Sequence, residues 1–193
     1  MEKKISIAIP FNNEYVNLKI LIPELIHHIK VIDYFFEIIL VNDFSNDGSL
    51  KYSYSLKKKN SNYEIKIINL LKRSGQTGAF KKAFEIATGG YIIRMDADLQ
   101  DQPEHIKLFI KKINEGYDLI IGHRSKRKHN LLLILAADIY DGIIKIIFNF
   151  SLKTYTGSFV AFRAIYVKNL PWYNNDHRYL PVIAILKGAK KLC

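Results

Sequence analysis

At 193 residues, 49% of them hydrophobic and 24% charged, the chain is globular in composition and long enough for one domain with a real core, with room for a small appendage. Its formal net charge of +11 points to anionic partners: a nucleotide diphosphate, nucleic acid or an anionic membrane surface. Its single cysteine, Cys193, excludes an internal disulfide framework and a cysteine zinc site, and makes a reducing, cytoplasmic location the default.

The N-terminal apolar run, residues 5–9, is shorter than expected for the apolar region of a signal peptide, and no uncharged apolar stretch is long enough to span a membrane. Residues 5–10 read as a first buried strand. Residues 12–30 follow with Val16, Leu18, Leu21, Ile22, Leu25, Ile26 and Ile29 at helical spacing. Residues 37–41 are a second strand, ending in the polar cluster of residues 42–49, a loop with helix-capping chemistry. A lysine-rich helix runs through Lys59, and residues 64–70 form a third strand. Residues 75–88 read as a helix stopped by Gly89-Gly90. The apolar run from Tyr91 to Met95 is a fourth strand, and a helix starts near Pro103 and runs to about Glu115. Residues 118–122 form a fifth strand. This alternation predicts an α/β fold with a mostly parallel sheet flanked by helices.

After Arg124 the pattern changes. Residues 125–129 are a basic knot. Residues 130–150 are strongly apolar, with Asp138, Asp141 and Lys145 on one helical face. Such a helix suits an anionic membrane surface, a buried small subdomain or a dimer contact. Thr156-Gly157-Ser158 leads into a further strand, then a short helix, then a last helix over residues 177–188.

The chemistry gathers at strand ends. The fourth strand runs into Asp96, Asp98 and Asp101. Two carboxylates one residue apart at a strand end converge on one hard cation when the chain turns there, and oxygen ligands suit Mg²⁺ or Mn²⁺ holding phosphates. The first strand ends at Pro10, Phe11 and Glu14, and the second at Asp43. In a parallel sheet these ends share one crevice. Glu14 and Asp43 suit hydrogen bonds from a base or ribose, and Lys72 and Arg73 suit a diphosphate. Gly75 allows close approach and opens a helix whose N-terminus favours anions. Each residue also has an ordinary alternative as a turn acid, a helix cap or solvated charge.

Four stretches, Ile7–Glu14, Val41–Ser49, Arg73–Ala79 and Met95–Glu104, resemble the family 2 glycosyltransferases of the GT-A fold. The similarity is strongest to the polyprenyl-phosphate branch, which includes dolichyl-phosphate mannose synthases and undecaprenyl-phosphate sugar transferases. Gly122-His123-Arg124 and His177-Arg178-Tyr179-Leu180-Pro181 are similar to that branch too. The resemblance implies a nucleotide-sugar-binding core over residues 1–124. It implies a shortened acceptor or membrane-facing helical region over residues 125–193.

It further implies that Pro10, Phe11, Glu14 and Asp43 hold the nucleoside and that Arg73 faces the diphosphate. Asp96, Asp98 and Gln100 would carry or orient Mg²⁺ or Mn²⁺, with Asp98 and Arg124 catalytic. The implied reaction is an inverting transfer from a UDP- or GDP-linked sugar to a polyprenyl phosphate. Its setting would be cytoplasmic or peripheral on the cytoplasmic membrane face, with an anionic membrane surface or a membrane protein as partner. Relatives often carry an acid at His129 and Asp at Tyr155, and a Ser and an Asn near Ala137 and Asp141. These departures make a binding protein with impaired transfer the alternative. A nucleic-acid-binding domain is disfavoured, because the basic residues are dispersed rather than interleaved with aromatics.

Overall fold

Every second residue of strand β1 (Lys4–Phe11) faces the same side of the sheet. Ile5, Ile7 and Ile9 therefore pack in one apolar layer and Ala8 in the other. Strand β2 (Phe35–Asn42) does the same, with Ile38 and Leu40 against one layer and Ile39 and Val41 against the other. Burial on both faces is why these strands read as continuous apolar runs. The computed structural model describes residues 3–60, 62–122, 139, 142–143, 158–173 and 175–192.

The remaining elements in chain order are α1 (Tyr15–Ile29), α2 (Ser49–Lys59), β3 (Glu64–Asn69), α3 (Gly75–Ile86), β4 (Tyr91–Arg94), α4 (Ile106–Asn114) and β5 (Leu119–Ile121), with α1 preceding β2. After them come β6 (Val160–Arg163), α5 (Ala164–Val167), α6 (Leu180–Leu186) and β7 (Lys191–Leu192). The seven strands lie in the order β3-β2-β1-β4-β6-β5-β7. Strands β1 to β4 are mutually parallel, whereas β6 runs antiparallel to both β4 and β5. Helix α1 buries Leu18, Leu21, Ile22, Leu25 and Ile29, and shares one layer with Ile106, Phe109, Ile110 and Ile113 of α4. Helices α3 and α6 fill the other layer through Ala79, Phe80, Ala83, Phe84, Leu180 and Ala184.

Three elements differ from the sequence reading. Helix α1 starts at Tyr15 rather than Asn12, because Asn13 adopts a left-handed φ of 58° that no helix accepts. The last helix is split into a 3₁₀ turn, Asp176–Arg178, and α6. Strand β6 sits between β4 and β5, so these two consecutive parallel strands are not neighbours. The basic knot, most of the apolar segment 130–150, and Tyr155 to Gly157 lie outside the described residues.

At the N-terminal ends of the strands a buried carboxylate closes the sheet. Glu37 is fully buried, and it accepts hydrogen bonds from the Ser6 hydroxyl, the Thr88 amide, the Thr88 hydroxyl at 3.0 Å and the Gly89 amide at 3.2 Å. Lys66 of β3 pairs with its other oxygen. Burial pushes the Glu37 pKa up, but the Lys66, Ser6 and Thr88 contacts outweigh it and bring the value down to about 2. The cluster pins the α3–β4 connection onto β1 and β2.

Gly89 is part of this closure. A Cβ there would lie 2.7 Å from the Ser6 amide nitrogen and 2.9 Å from the Ile5 carbonyl carbon. Gly89→Ala is therefore expected to force β1 and β4 apart and to cost about 2–3 kcal/mol, read as a lower urea midpoint. A midpoint equal to that of the wild type would show that the backbone gives way freely.

Candidate functional site

Parallel strands β1, β2, β3 and β4 bring four connecting loops to one end of the sheet. There the loops surround a cleft of about 250 Å³ lined by Pro10, Phe11, Asn12, Glu14, Asp43, Arg73, Gln76, Ala79, Asp96, Ala97 and Asp98. Seven of the residues singled out from the sequence are thus brought together: Pro10, Phe11, Glu14, Asp43, Arg73, Asp96 and Asp98. Gln100 is not among the lining residues, and its backbone amide instead donates to Asp98 Oδ1 at 3.1 Å. Lys72 does not line the cleft either. Arg124 lies outside the described residues.

The loops after β1 and β2 are stitched to each other by side-chain hydrogen bonds to backbone. Asn12 Nδ2 donates to the Asp43 carbonyl at 2.7 Å, and the Asn13 amide donates to Ser45 Oγ at 2.9 Å. The Asn46 amide returns a bond to Asn13 Oδ1 at 2.8 Å. Asp47 accepts from the first amides of two helices, Tyr15 of α1 and Ser49 of α2, both at 3.0 Å. Burial raises its pKa, but the Ser49 and Tyr15 hydrogen bonds prevail and hold it below its ordinary value. The capping chemistry read in residues 42–49 therefore serves α1 as well as α2, and it fixes the backbone that presents Pro10 to Glu14.

Asp43 is 5% exposed. Its carboxylate oxygens accept the amides of Ser74 at 2.6 Å and Gly75 at 2.9 Å. At the helix start that favours anions, two amides are thus taken by the protein's own Asp43, while Gln76 of the same turn lines the cleft. Gly75 has φ 67°, the left-handed conformation that lets the chain turn into this contact. The contact seats Arg73 at the cleft.

The acid turn follows β4. Asp96 is half-buried and Asp98 exposed. Leu99 takes φ 64°, unusual for a side-chain-bearing residue. Burial, then the neighbouring Asp101 carboxylate, raises the Asp96 pKa; Arg94 opposes this and Asp98 adds to it. Excess negative charge with oxygen donors at a cleft wall fits a hard divalent cation. Among the described residues no group of three His, Cys, Asp or Glu side chains converges on a metal position. Asp96 and Asp98 would thus supply two ligands and leave the other positions to phosphate oxygens and water, a sparse protein contribution of the kind Mg²⁺ accepts.

Two residues that the sequence reading left without roles stand behind the turn. Arg94 is 5% exposed, and its Nε donates to the Ser158 carbonyl at 2.8 Å, while its guanidinium lies 5.3 Å from the centre of the Phe80 ring. The signal for it was a cation inside an apolar strand. His177 is buried, with its Nδ1 2.7 Å from Thr77 Oγ1. Burial, with Arg94 and Arg178 nearby, pushes its pKa down to about 4, so it is a neutral packing group at physiological pH.

Solved structures share this architecture. A mannosyltransferase from Pyrobaculum calidifontis, in complex with GDP-Man and Mn²⁺, superposes with a TM-score of 0.68 at 16% identity, covering 98% of this chain and 54% of that one. Glucosyl-3-phosphoglycerate synthase from Mycobacterium tuberculosis, with Mn²⁺, UDP-glucose and phosphoglyceric acid, gives 0.68 at 15% identity, covering 95% and 65%. The fold is the GT-A fold of glycosyltransferases.

The model of the family described as glycosyl transferase family 2 matches residues 6–170, and the chain belongs to that family. The chain is 30% identical over 182 residues to the undecaprenyl-phosphate 4-deoxy-4-formamido-L-arabinose transferase of Photorhabdus laumondii, covering 94% of this chain and 56% of that protein. It is 38% identical over 128 residues to an uncharacterised glycosyltransferase of Synechocystis sp., covering 66% and 40%. The chain thus spans about half the length of these curated relatives.

Proposed function

We propose that this chain transfers a sugar from a UDP- or GDP-linked donor to a polyprenyl phosphate, with inversion and with help from Mg²⁺ or Mn²⁺. The observation that carries the reading is the meeting of Asp96, Asp98, Arg73, Asp43 and Glu14 in one cleft at the C-terminal ends of parallel strands. Relatives named as undecaprenyl-phosphate sugar transferases, at 30% identity over 94% of the chain, support the acceptor class. Mn²⁺ together with GDP-Man or UDP-glucose in the structural neighbours supports the donor class and the metal.

In this reading Pro10, Phe11, Glu14 and Asp43 form the nucleoside end of the cleft. Asp43 reads the nucleoside with lone pairs left beyond its bonds to Ser74 and Gly75. Arg73 places a guanidinium where diphosphate charge lies. Asp96 and Asp98 would hold the cation, and the chemistry it would supply is neutralisation of charge on the departing nucleotide diphosphate. A phosphate oxygen of the acceptor forms the new bond to the anomeric carbon as the bond to the nucleotide diphosphate breaks. That oxygen is already ionised at neutral pH, so no dedicated general base is required, and catalysis is positioning and charge neutralisation. Gln100 would support Asp98 through its backbone rather than as a cleft-lining ligand. Arg124 would complete the phosphate-binding charge.

Among the described residues no helix is long and apolar enough to cross a membrane. The lipid acceptor would be met at a membrane face, with an anionic surface attracting the chain's positive charge.

Calorimetry with UDP and GDP, with and without Mn²⁺, tests the donor half. One nucleotide is expected to bind more tightly with Mn²⁺ present, and binding of neither would overturn the reading. Labelled-sugar transfer to a polyprenyl phosphate tests the acceptor half. Metal-dependent nucleotide binding without product would leave a binding protein of this family in its place.

A further inference from the structure

A run of contacts beneath the acid turn begins and ends on β4 and its extension. Arg94 Nε holds the Ser158 carbonyl at 2.8 Å, and Arg94 Nη1 holds the His177 carbonyl. The Ser158 hydroxyl reaches Asp101 Oδ1 and Oδ2, each at 3.1 Å. Asp101 Oδ2 accepts the Asp96 amide at 3.0 Å. The path runs from Arg94 through Ser158 and Asp101 to Asp96, two residues from its start.

Asp101 is 2% exposed and does not line the cleft that holds Asp96 and Asp98. Its carboxylate is spent on backbone and hydroxyl donors inside the protein. Between Asp98 and Asp101 the chain passes through Leu99 in the left-handed region, a conformation that surrounding contacts have to maintain. A charged acceptor on the Asp96 amide is a strong tether of the right kind. Metal ligands in general depend on partners that orient them without touching the metal.

We propose that Asp101, itself braced by Ser158 and Arg94, is the positioning residue that fixes the Asp96 backbone and so aims the Asp96 and Asp98 carboxylates at a divalent cation on the donor diphosphate. The proposal rests on the metal–diphosphate reading above and adds to it a residue from β4's far loop and one from the chain entering β6. It makes the geometry of the acid turn depend on a segment some sixty residues further along the chain.

The test is calorimetry of the nucleotide that the wild type binds, with and without Mn²⁺, on Asp101→Ala and Ser158→Ala. Asp101→Ala leaves no side-chain oxygen to accept the Asp96 amide, and is expected to cut the Mn²⁺-dependent gain in affinity roughly tenfold or more, the usual cost of losing a partner behind a metal ligand. Affinity without metal is expected to stay at the wild-type level. Ser158→Ala is expected to move the same quantity in the same direction by less. A wild-type Mn²⁺ gain in Asp101→Ala overturns the proposal, as does an equal fall in metal-free affinity, which signals general damage. Should Asp101→Ala fail to fold, Ser158→Ala decides alone, since it removes the half-buried hydroxyl that reaches Asp101 and keeps the Asp101 charge; a wild-type Mn²⁺ gain there overturns the proposal. If the wild type itself shows no metal-dependent binding, the donor reading falls and takes this proposal with it, an outcome distinct from failure of the variants alone.

Discussion

Asp98→Asn is expected to lower sugar transfer on the order of a thousandfold, the several kcal/mol that a catalytic cation contributes to charge stabilisation. The fold should survive it. Asp98 is exposed, and the one hydrogen bond described for it is accepted by Oδ1, an atom that asparagine keeps. What the substitution removes is charge. Thermal melting should therefore sit near the wild-type value, within the narrow range usual for surface changes. Labelled-sugar transfer to undecaprenyl phosphate measures the rate. A variant that transfers within tenfold of the wild type would mean that this carboxylate neither holds a cation nor shapes the reaction.

The second large effect is on stability, at the opposite end of the strands. Glu37→Ala is expected to cost about 2–4 kcal/mol, because it leaves the buried Ser6 hydroxyl without its acceptor, takes a shared oxygen from the Thr88 and Gly89 amides, and removes one of the two carboxylates paired with Lys66. In a chain of this size that lowers the melting temperature by roughly 10 °C. The same carboxylate gives a pH signature. Its folded pKa of about 2 lies below the ordinary 4.5, so its contribution is complete above pH 4.5 and is lost as the pH falls through 2. The integrated loss is about 3 kcal/mol. Glu37→Gln should flatten that part of the profile, since glutamine does not titrate. Denaturant midpoints between pH 6 and pH 3 that fall as steeply in Glu37→Gln as in the wild type would assign the acid lability to other groups.

Much of this was legible locally. Strands β1, β2, β4 and β5 announced themselves as apolar runs punctuated by Gly, Pro and Asn, because burial on both faces leaves few polar positions to confuse the period. That seven of the candidate residues share one cleft was legible because they fall at or just beyond strand ends. What escaped was set by partners distant in sequence. The start of α1 depends on Asp47, more than thirty residues ahead, and on the left-handed turn at Asn13. The bonds from the Ser74 and Gly75 amides to Asp43 are tertiary, so the pattern around Gly75 showed a helix start that favours anions but not that a carboxylate of the protein takes two of its amides. Gln100 stands in the family's register, yet its placement outside the cleft follows from the turn at Leu99. Asp101 was visible as a third acid, but its burial was not. The place of β6 between β4 and β5 has no local signature at all, since strand pairing is written in neither strand alone.

That placement of β6 has a consequence for how the protein is made. By the time residue 94 has left the ribosome, β1, β2, β3 and β4 are all available to pair with one another through short right-handed crossovers. Strand β5 is synthesised next, but the described sheet gives it no bond to β4; both wait for β6, whose first residue is Val160. Until then the nascent sheet carries the open edge of β4 beside the acid turn, and Ser158 and His177, which brace that turn, have yet to arrive. The cleft wall that carries Pro10 to Glu14 and Asp43 can be assembled early in synthesis, whereas the wall that carries Asp96 and Asp98 is completed only by the late-arriving third of the chain.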